Sequence, residues 1–305
     1  MVCRICHSNQ NGKTFSVNDK MFAGTEKFKY FECENCGTLQ IVDIPENMSN
    51  FYPENYYSLK SDLKLRDKFI QKMRDYIFYY DFPKTTVKKL SVKIPNLALE
   101  AFLKIKPKKS HKILDVGCGE GKFLKSIYSL GYRNIVGIDP FALKTTERPF
   151  PIYRKEITDI DDQFDVITFN HVFEHIKDVH LTLKKCHQLL NKDGRIIIRV
   201  PVKDSAAYEE YGENWVQWDA PRHFQILTKK AFEILSKENG LRIENYYNDS
   251  YKLQFTGSEK YKRGLTYQTP NSIFTKEEIK EYNRKSQELN IAEKGDQAVV
   301  VMKKI

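Results

Sequence analysis

The sequence lacks any long apolar run. In 305 residues the uninterrupted apolar stretches are only a few residues long, as at Ile196-Ile197-Ile198. A membrane-spanning helix needs about 20 such residues, so the sequence predicts no membrane span. No apolar segment follows the opening stretch from Met1 to Cys6, which argues against a secretion signal and favours a cytoplasmic protein.

Internal repeats and low-complexity tracts are also missing, so the pattern is not that of a solenoid or a propeller. Charged residues make up 30% of the chain and hydrophobic residues 41%. This composition is typical of a globular protein and excludes a disordered or fibrous one. The length suffices for one large domain or two smaller ones.

Positive charge is concentrated in one part of the chain. The net charge is +10, from 50 Lys and Arg against 40 Asp and Glu, and residues 61–112 alone hold 14 against 5. Such a stretch could bind nucleic acid. It could equally be a connector whose lysines face water and cover apolar surface. We favour the second reading and predict a basic helical connector over residues 61–110.

Four of the six cysteines form two C-x-x-C pairs with 26 residues between them. In a cytosolic protein this spacing favours metal over disulfides. Four thiolates complete a closed tetrahedral zinc site, which is structural because it leaves no open position. The predicted ligands are Cys3, Cys6, Cys33 and Cys36. His7 follows the first pair and could replace one ligand, and two unrelated reduced pairs are the alternative.

From His111 onward, short apolar strands alternate with helical patterns, which predicts an open α/β sheet covered by helices. No helix that fits a simple crossover precedes the last strand, so an antiparallel edge is expected there. The polar stretch 251–292 could be a lid, a dimer contact or a helical insertion over an acceptor pocket. The predicted strands cover 112–116, 134–139, 151–153, 164–169, 195–200, 241–247 and 297–302, and the helices 122–130, 179–190 and 229–239.

A glycine-rich turn follows the first of these strands and opens a helix. It reads Asp115-Val116-Gly117-Cys118-Gly119-Glu120-Gly121. Its glycines let the backbone approach a ligand, and the helix N-terminus offers free N–H groups. Asp139 ends the next strand, where a carboxylate can accept both hydroxyls of a ribose. Glycines that merely turn the chain are the structural alternative.

These segments, together with Phe164-Asp165-Val166-Ile167, resemble the class I S-adenosylmethionine-dependent methyltransferases over roughly residues 93–305. The resemblance implies a Rossmann-like seven-stranded methyltransferase sheet, S-adenosylmethionine as cofactor and S-adenosylhomocysteine as product. It places Asp115 at the amino group of the methionine part, directly or through water, and Asp139 at the ribose. The glycines that pass close to the cofactor are Gly117, Gly119 and Gly121.

The same resemblance assigns four further positions around the cofactor. Glu156 would accept from the exocyclic amine of adenine while Ile157 packs on the ring; an exposed loop carboxylate is the alternative for Glu156. Asn170 and His171 would lie beside the transferable methyl group. Glu174-His175 belongs to the following turn and is expected to cap or to pack structurally.

Residues 1–60 resemble the zinc-binding N-terminal domain of bacterial sugar methyltransferases, including C-methyltransferases that act on nucleotide-linked 3-keto sugars. The aromatic cluster 51–58 follows it, as in many of those enzymes, and would line an acceptor pocket or pack the junction. The C-methyltransferases carry a further domain after the core. Here the core's last strand, around 297–301, is followed by no such domain, which favours O-methylation.

A loop after the fifth strand, residues 212–224, supplies the expected acceptor side. His223 matches the catalytic histidine of the sugar methyltransferases, and a base is needed because a hydroxyl must lose its proton as the methyl bond forms. The tyrosine and glutamate that precede it in that family are Ala220 and Arg222 here, so only the histidine is carried over. A loop-anchoring hydrogen bond is its alternative role.

Other side chains of this loop have two readings each. Arg222 could bind a phosphate or sugar carboxylate, or pair with Asp219. Trp215 and Trp218 could stack on a sugar or form a wall of the core.

Three functions follow from these patterns. The first is O-methylation of a sugar, as a nucleotide-linked precursor of a surface polysaccharide. The second is O-methylation of a quinol or other phenol, because the Trp-rich loop resembles ubiquinone-type O-methyltransferases, which lack the zinc module. The third is an RNA-binding methyltransferase, disfavoured because Asn170-His171-Val172-Phe173 is no Asn-Pro-Pro-Tyr motif.

The predicted organisation is a small four-cysteine zinc-binding module (1–60), the connector (61–110) and the methyltransferase domain (111–305) with an insertion near 251–292. A small-molecule acceptor is the expected partner. The patterns leave the oligomeric state open.

Overall fold

The computed structural model describes residues 1–9, 12–52, 96–142, 145–147 and 149–305. Most of the predicted connector and residues 53–58 of the aromatic cluster lie outside this part of the chain. Within it, no helix combines the length and the apolar character needed to cross a bilayer.

The described residues form eleven strands and seven α-helices, joined by turns and short 3-10 segments. The strands are β1 (Thr14–Asn18), β2 (Lys27–Glu32), β3 (Leu39–Ile41), β4 (Ile113–Val116), β5 (Ile135–Ile138), β6 (Ile152–Tyr153), β7 (Phe164–Asn170), β8 (Leu190–Pro201), β9 (Gln225–Ile226), β10 (Leu241–Asn248) and β11 (Gln297–Lys304). The helices are α1 (Leu97–Lys104), α2 (Lys122–Ser129), α3 (Val179–Leu189), α4 (Ala206–Tyr211), α5 (Lys229–Glu238), α6 (Leu253–Lys262) and α7 (Lys276–Ile291).

The main sheet has seven strands in the order β10-β11-β8-β7-β4-β5-β6. Five neighbouring strands from β8 to β6 run parallel, whereas β11 is antiparallel to both of its neighbours. The Rossmann-like sheet expected from the sequence is therefore confirmed. The last strand is antiparallel as expected, but it lies between β8 and β10, and β10 forms the edge.

Buried apolar strands hold this sheet at the centre of the molecule. All four residues of β4 are buried, as a central parallel strand requires. One face of the sheet packs with α3 and α5, and the other packs with α1 and α2. Side-chain caps fix the start of several helices; Asp178 accepts from the Leu181 amide at α3, and Thr228 accepts from the Ala231 amide at α5.

A second, four-stranded sheet joins the N-terminal region to the core. Its order is β1-β2-β3-β9, with β3 and β9 antiparallel. Strand β9 directly follows the loop that carries His223, so that loop is continuous with the N-terminal sheet. Both tryptophans of the loop are buried in this part of the core, Trp215 at 0% and Trp218 at 2% exposure.

The polar stretch 251–292 contains two helices, α6 and α7. The ring of Phe255 on α6 stacks on that of Tyr282 on α7, with centroids 5.3 Å apart. Helix α6 packs so tightly on the loop that a Cβ at Gly257 would lie 2.4 Å from Val216 Cγ2. Of the three alternatives for this stretch, the structure shows two helices, of which α6 packs on the tryptophan-bearing loop, and their assignment as an insertion stays a prediction.

Candidate functional site

The carboxyl end of β4 holds a buried carboxylate. Asp115 Oδ1 accepts a hydrogen bond from Thr168 Oγ1 at 2.7 Å and another from Asn170 Nδ2 at 3.4 Å. Burial raises the pKa of Asp115 to about 7, although both donors oppose the shift. The side chain thus changes charge in the neutral range and is held at the sheet edge where ligands of such folds bind.

The glycine turn wraps around the neighbouring carboxylate of Asp139. The Gly119 amide donates to Asp139 Oδ2 at 2.9 Å, and the Phe141 amide donates to Oδ1 at 2.8 Å. Gly117 has a φ of +66°, and a Cβ there would lie 2.4 Å from Val172 Cγ2. A side chain is therefore excluded at Gly117 by both conformation and space.

These groups fit S-adenosylmethionine in charge and shape. Asp115 and Asp139 end adjacent parallel strands, since Asp115 pairs with Gly137 in β5. One carboxylate suits the ammonium group of the methionine part, and the other, partly exposed, suits the ribose hydroxyls. When bound, the cofactor supplies a methyl group on a sulfonium centre.

The other residues predicted around the cofactor have different surroundings. Gly121 precedes α2 with a φ of +70°, and a Cβ there would meet Ile152 Cδ1 at 2.8 Å, so its backbone conformation favours a glycine whether or not a cofactor is near. Glu156 is exposed and precedes a short 3-10 turn, while Ile157 is buried in the core. His171 lies at the end of β7, partly exposed, next to Asn170. Their roles toward the cofactor stay predictions.

The raised pKa of Asp115 predicts pH-dependent cofactor binding. An ionised Asp115 attracts the ammonium group, so the affinity for S-adenosylmethionine should rise between pH 6 and 8, by up to about tenfold per pH unit below a pKa of about 7. Calorimetric titration across this range measures the effect. Asp115→Asn should bind more weakly at pH 8 and show a flat profile, and an equally steep profile in the variant would contradict the assignment.

The side chains of Glu174 and His175 cluster around His223. Glu174, His175 and His223 place their ligand atoms within 4.8 Å of one another. His223 Nδ1 donates to the Gln217 carbonyl at 2.7 Å, which leaves the Nε2 lone pair facing Glu174 Oε1 at 3.9 Å and Asp219 Oδ2 at 3.7 Å. The turn that contains Glu174-His175 thus packs against the loop, as expected from its position in the sequence.

Glu174 is the charged centre of this cluster. Its side chain is 1% exposed, and burial by itself raises its pKa. The neighbouring His171, His175 and His223 lower the pKa by a larger amount, so that it falls to about 2. The carboxylate is therefore ionised at neutral pH. An ionised carboxylate beside an imidazole stabilises the imidazolium that forms when the ring takes up a proton.

A second buried charge network reaches the same cluster from β8. The Arg199 guanidinium contacts His171 Nε2 and Asp249 and donates to Gln297 Oε1 at 2.6 Å. His171 Nδ1 in turn lies 3.4 Å from Glu174 Oε1. Sequence analysis missed Arg199; its signal is a lone charge inside the apolar run of β8.

Arg222 is fully buried and ties the loop to the N-terminal region. Its guanidinium donates to Asp219 Oδ1 at 2.6 and 2.9 Å and to both oxygens of Asp19 at 2.7 and 2.8 Å. Of the two roles considered for this arginine, the structure shows the pairing with Asp219. Asp19 is a partner that sequence reasoning missed, because 203 residues separate it from Arg222.

The four predicted zinc ligands converge. The sulfur atoms of Cys3 and Cys36 are 3.6 Å apart, and those of Cys6 and Cys33 are 3.5 Å apart. Tetrahedral zinc with bonds of about 2.3 Å places its sulfurs about 3.8 Å apart, so the cluster fits this ion. Gln40 Nε2 donates to Cys3 Sγ at 2.8 Å, as expected around a thiolate ligand.

Comparisons with known proteins agree with this site. A family model described as a methyltransferase domain matches residues 89–246, just over half of the chain. The sheet order, the glycine turn and the two carboxylates define a class I S-adenosylmethionine-dependent methyltransferase. The chain belongs to the methyltransferase domain family.

Curated relatives match part of the chain. A ubiquinone biosynthesis O-methyltransferase of Pelagibacter ubique is 27% identical over 181 residues, 51% of this chain and 75% of the relative. The mitochondrial ubiquinone biosynthesis O-methyltransferase of Bos taurus is 32% identical over 119 residues, and this chain spans about a third of its length (32%). A solved S-adenosylmethionine-dependent methyltransferase from Archaeoglobus fulgidus is similar at 20% identity and a TM-score of 0.45, covering 68% of this chain and 93% of that one.

Proposed function

We propose that this methyltransferase transfers the methyl group to a hydroxyl oxygen of a small acceptor, foremost a nucleotide-linked sugar precursor of a surface polysaccharide. The observation that carries O-methyl transfer is a chain of contacts from the strand-end carboxylate to the candidate base. Asn170 donates to Asp115, the next residue His171 lies 3.4 Å from Glu174, and Glu174 lies 3.9 Å from His223. The four-cysteine cluster supports the sugar acceptor, through the resemblance of residues 1–60 to sugar methyltransferases. Structural zinc and reduced cysteines fit a cytoplasmic location.

The second candidate acceptor is a quinol or other phenol. The names of the Bos taurus and Pelagibacter ubique relatives favour it, because both are ubiquinone biosynthesis O-methyltransferases. The matches cover 34% and 51% of this chain, so they support oxygen as the attacking atom better than they support a particular acceptor.

His223 is the proposed base. Its Nδ1–H is fixed by the Gln217 carbonyl, so Nε2 is the atom that would take the acceptor's proton. Glu174 then stabilises the resulting imidazolium. His171 is the competing base because its side chain is 31% exposed whereas that of His223 is 6% exposed, but Arg199 donates to its Nε2 and must release that nitrogen first.

The function is tested by S-adenosylhomocysteine release from the purified full chain with nucleotide sugars, quinols and tRNA, with product masses read in parallel. A methylated nucleotide sugar whose fragments place the new methyl on oxygen supports the proposal. A methylated quinol selects the second candidate. Turnover with tRNA alone would overturn both and would make the basic residues 61–112 the substrate track.

Substitution of the two histidines separates the candidate bases. His223→Gln should lower kcat by about 10²–10⁴-fold with little change in cofactor affinity, because only the proton transfer is lost. The pH–rate profile should also shift to higher pH, because without a base the acceptor hydroxyl must lose its proton to the solvent before it attacks. His187→Gln on α3 is the control. If His171→Gln shows the larger loss of kcat instead, His171 is the base.

A further inference from the structure

We propose that His7, His180 and Glu238 form a second site for a borderline divalent cation such as zinc, separate from the four cysteines. The three residues come from the first cysteine knuckle, from α3 and from the end of α5. His7 Nε2 lies 3.9 Å from Glu238 Oε2, and His180 Nδ1 lies 3.7 Å from the same oxygen. The three ligand atoms all lie within 4.8 Å of one another.

The tautomer of His180 is the one a metal ligand needs. Its Nε2–H donates to the Ile5 carbonyl at 2.9 Å, so the lone pair is on Nδ1, on the side of Glu238. Metal-bound histidines typically donate their other ring N–H to a backbone carbonyl in this way. Asn239 Nδ2 donates to His180 Nδ1 at 3.3 Å and to the Leu235 carbonyl at 2.8 Å. Metal binding to His180 would break the first of these hydrogen bonds and keep the second.

The backbone of His7 provides an independent argument. The amide of His7 donates to the Cys3 carbonyl, and in the second knuckle the amide of Gly37 donates to the Cys33 carbonyl in the same way. Both residues are left-handed, with φ values of 55° for His7 and 73° for Gly37. This backbone conformation disfavours any residue with a Cβ relative to glycine. Residues held in this region often serve a site, and here the strained residue brings its ring within 4.8 Å of that of His180.

The donor set selects the class of cation. Two imidazoles and one carboxylate suit zinc and similar ions, with water completing the coordination. The side chains of His7 and Glu238 are 64% and 43% exposed, so an ion can enter from solvent. Ligands of tetrahedral zinc lie about 3.4 Å apart, so small side-chain rotations close the observed separations.

The test is the zinc content of the full chain at equilibrium with micromolar free zinc, measured by mass spectrometry of dialysed protein. We expect two zinc ions per chain in the unmodified protein and one in Glu238→Gln and His7→Gly. The glycine variant removes a ligand and relieves the backbone, so it should fold at least as well as the parent. His187→Gln, on the same helix as His180, should keep both ions.

Cobalt(II) substitution distinguishes the sites spectroscopically. The intense thiolate charge-transfer bands of the cysteine site should persist in both variants, while the weaker bands of the second ion disappear. One ion per chain in the unmodified protein, or two ions retained in both ligand variants, would overturn the proposal. The outcome is independent of the acceptor and of turnover.

Discussion

Arg222→Met should lower the free energy of unfolding by about 3–5 kcal/mol, because it leaves two buried carboxylates without their cation. The arginine side chain is 0% exposed and the carboxylates of Asp19 and Asp219 are 9% and 4% exposed, so water cannot replace it. For a chain of this size the loss corresponds to a fall of roughly 10 °C in Tm. Urea unfolding at neutral pH measures it directly.

The pH dependence of this loss identifies its cause. In the parent protein burial raises the pKa of Asp219, but Arg222 and His223 lower it by a larger amount. The pKa of Asp219 therefore lies below its usual value. That carboxylate stabilises the fold above its unfolded pKa of about 4 and loses this contribution as the pH falls. In Arg222→Met only burial and the histidines remain, so the pKa should rise and the deficit should shrink toward acid pH.

Two variants control for lost packing. Arg222→Lys keeps a charge but cannot serve both carboxylates with a planar fork, so it should fall between parent and Met variant. Asp19→Asn combined with Arg222→Met should recover part of the loss, because one uncompensated charge is gone. A Met variant within about 1 kcal/mol of the parent would show that the triad contributes little net stability.

Cys33→Ser should release the predicted zinc ion and unfold the N-terminal sheet. A structural zinc contributes about 10–16 kcal/mol in small zinc-binding peptides, which exceeds the whole stability of many domains, so the apolar contacts of β1, β2 and β3 should not compensate for its loss. The Cys33 thiol is 2% exposed and its sulfur lies 3.5 Å from that of Cys6. Metal analysis and far-UV circular dichroism measure the two effects.

Cys186→Ala is the matched control for that prediction. Cys186 is equally buried, at 0% exposure, but it packs in α3 among apolar side chains. Its replacement should leave the zinc content unchanged and cost only a small cavity. Full zinc content in Cys33→Ser would contradict the four-cysteine assignment.

Local patterns predicted most of the fold. Helices α2, α3 and α5 and six of the seven strands of the main sheet lie within a few residues of their predicted bounds, because apolar periodicity and glycine stops are local signals. Strand β8 differs, since it starts at Leu190 rather than at residue 195 and runs through Gly194. The place of β11 between β8 and β10 was not predicted, since strand order depends on contacts between distant segments. The β3–β9 pairing was missed for the same reason, because two-residue β9 has no pattern of its own.

The candidate site divides in the same way. Motif spacing predicted Asp115, Asp139 and the four cysteines as site residues. The structure places the two carboxylates at one edge of the sheet and the four cysteines in one cluster. Arg199 and Asp19 were missed, because their partners lie far away in the sequence. The sequence could not decide whether Arg222 binds an anionic ligand or pairs with Asp219, because both partners are negatively charged. The structure shows the pairing with Asp219.

Strand β9 pairs with β3 of the N-terminal region, and this pairing matters for the design of chimeras from this chain. Arg4 and Tyr30 donate to the carbonyls of Phe224 and His223, both at 2.9 Å. A graft that starts at residue 111 would strip these donors from the loop and leave the edge of β9 open to pairing with another chain. Exchange of acceptor preference between relatives should therefore move the cysteine knuckles and the 212–228 segment as one cassette.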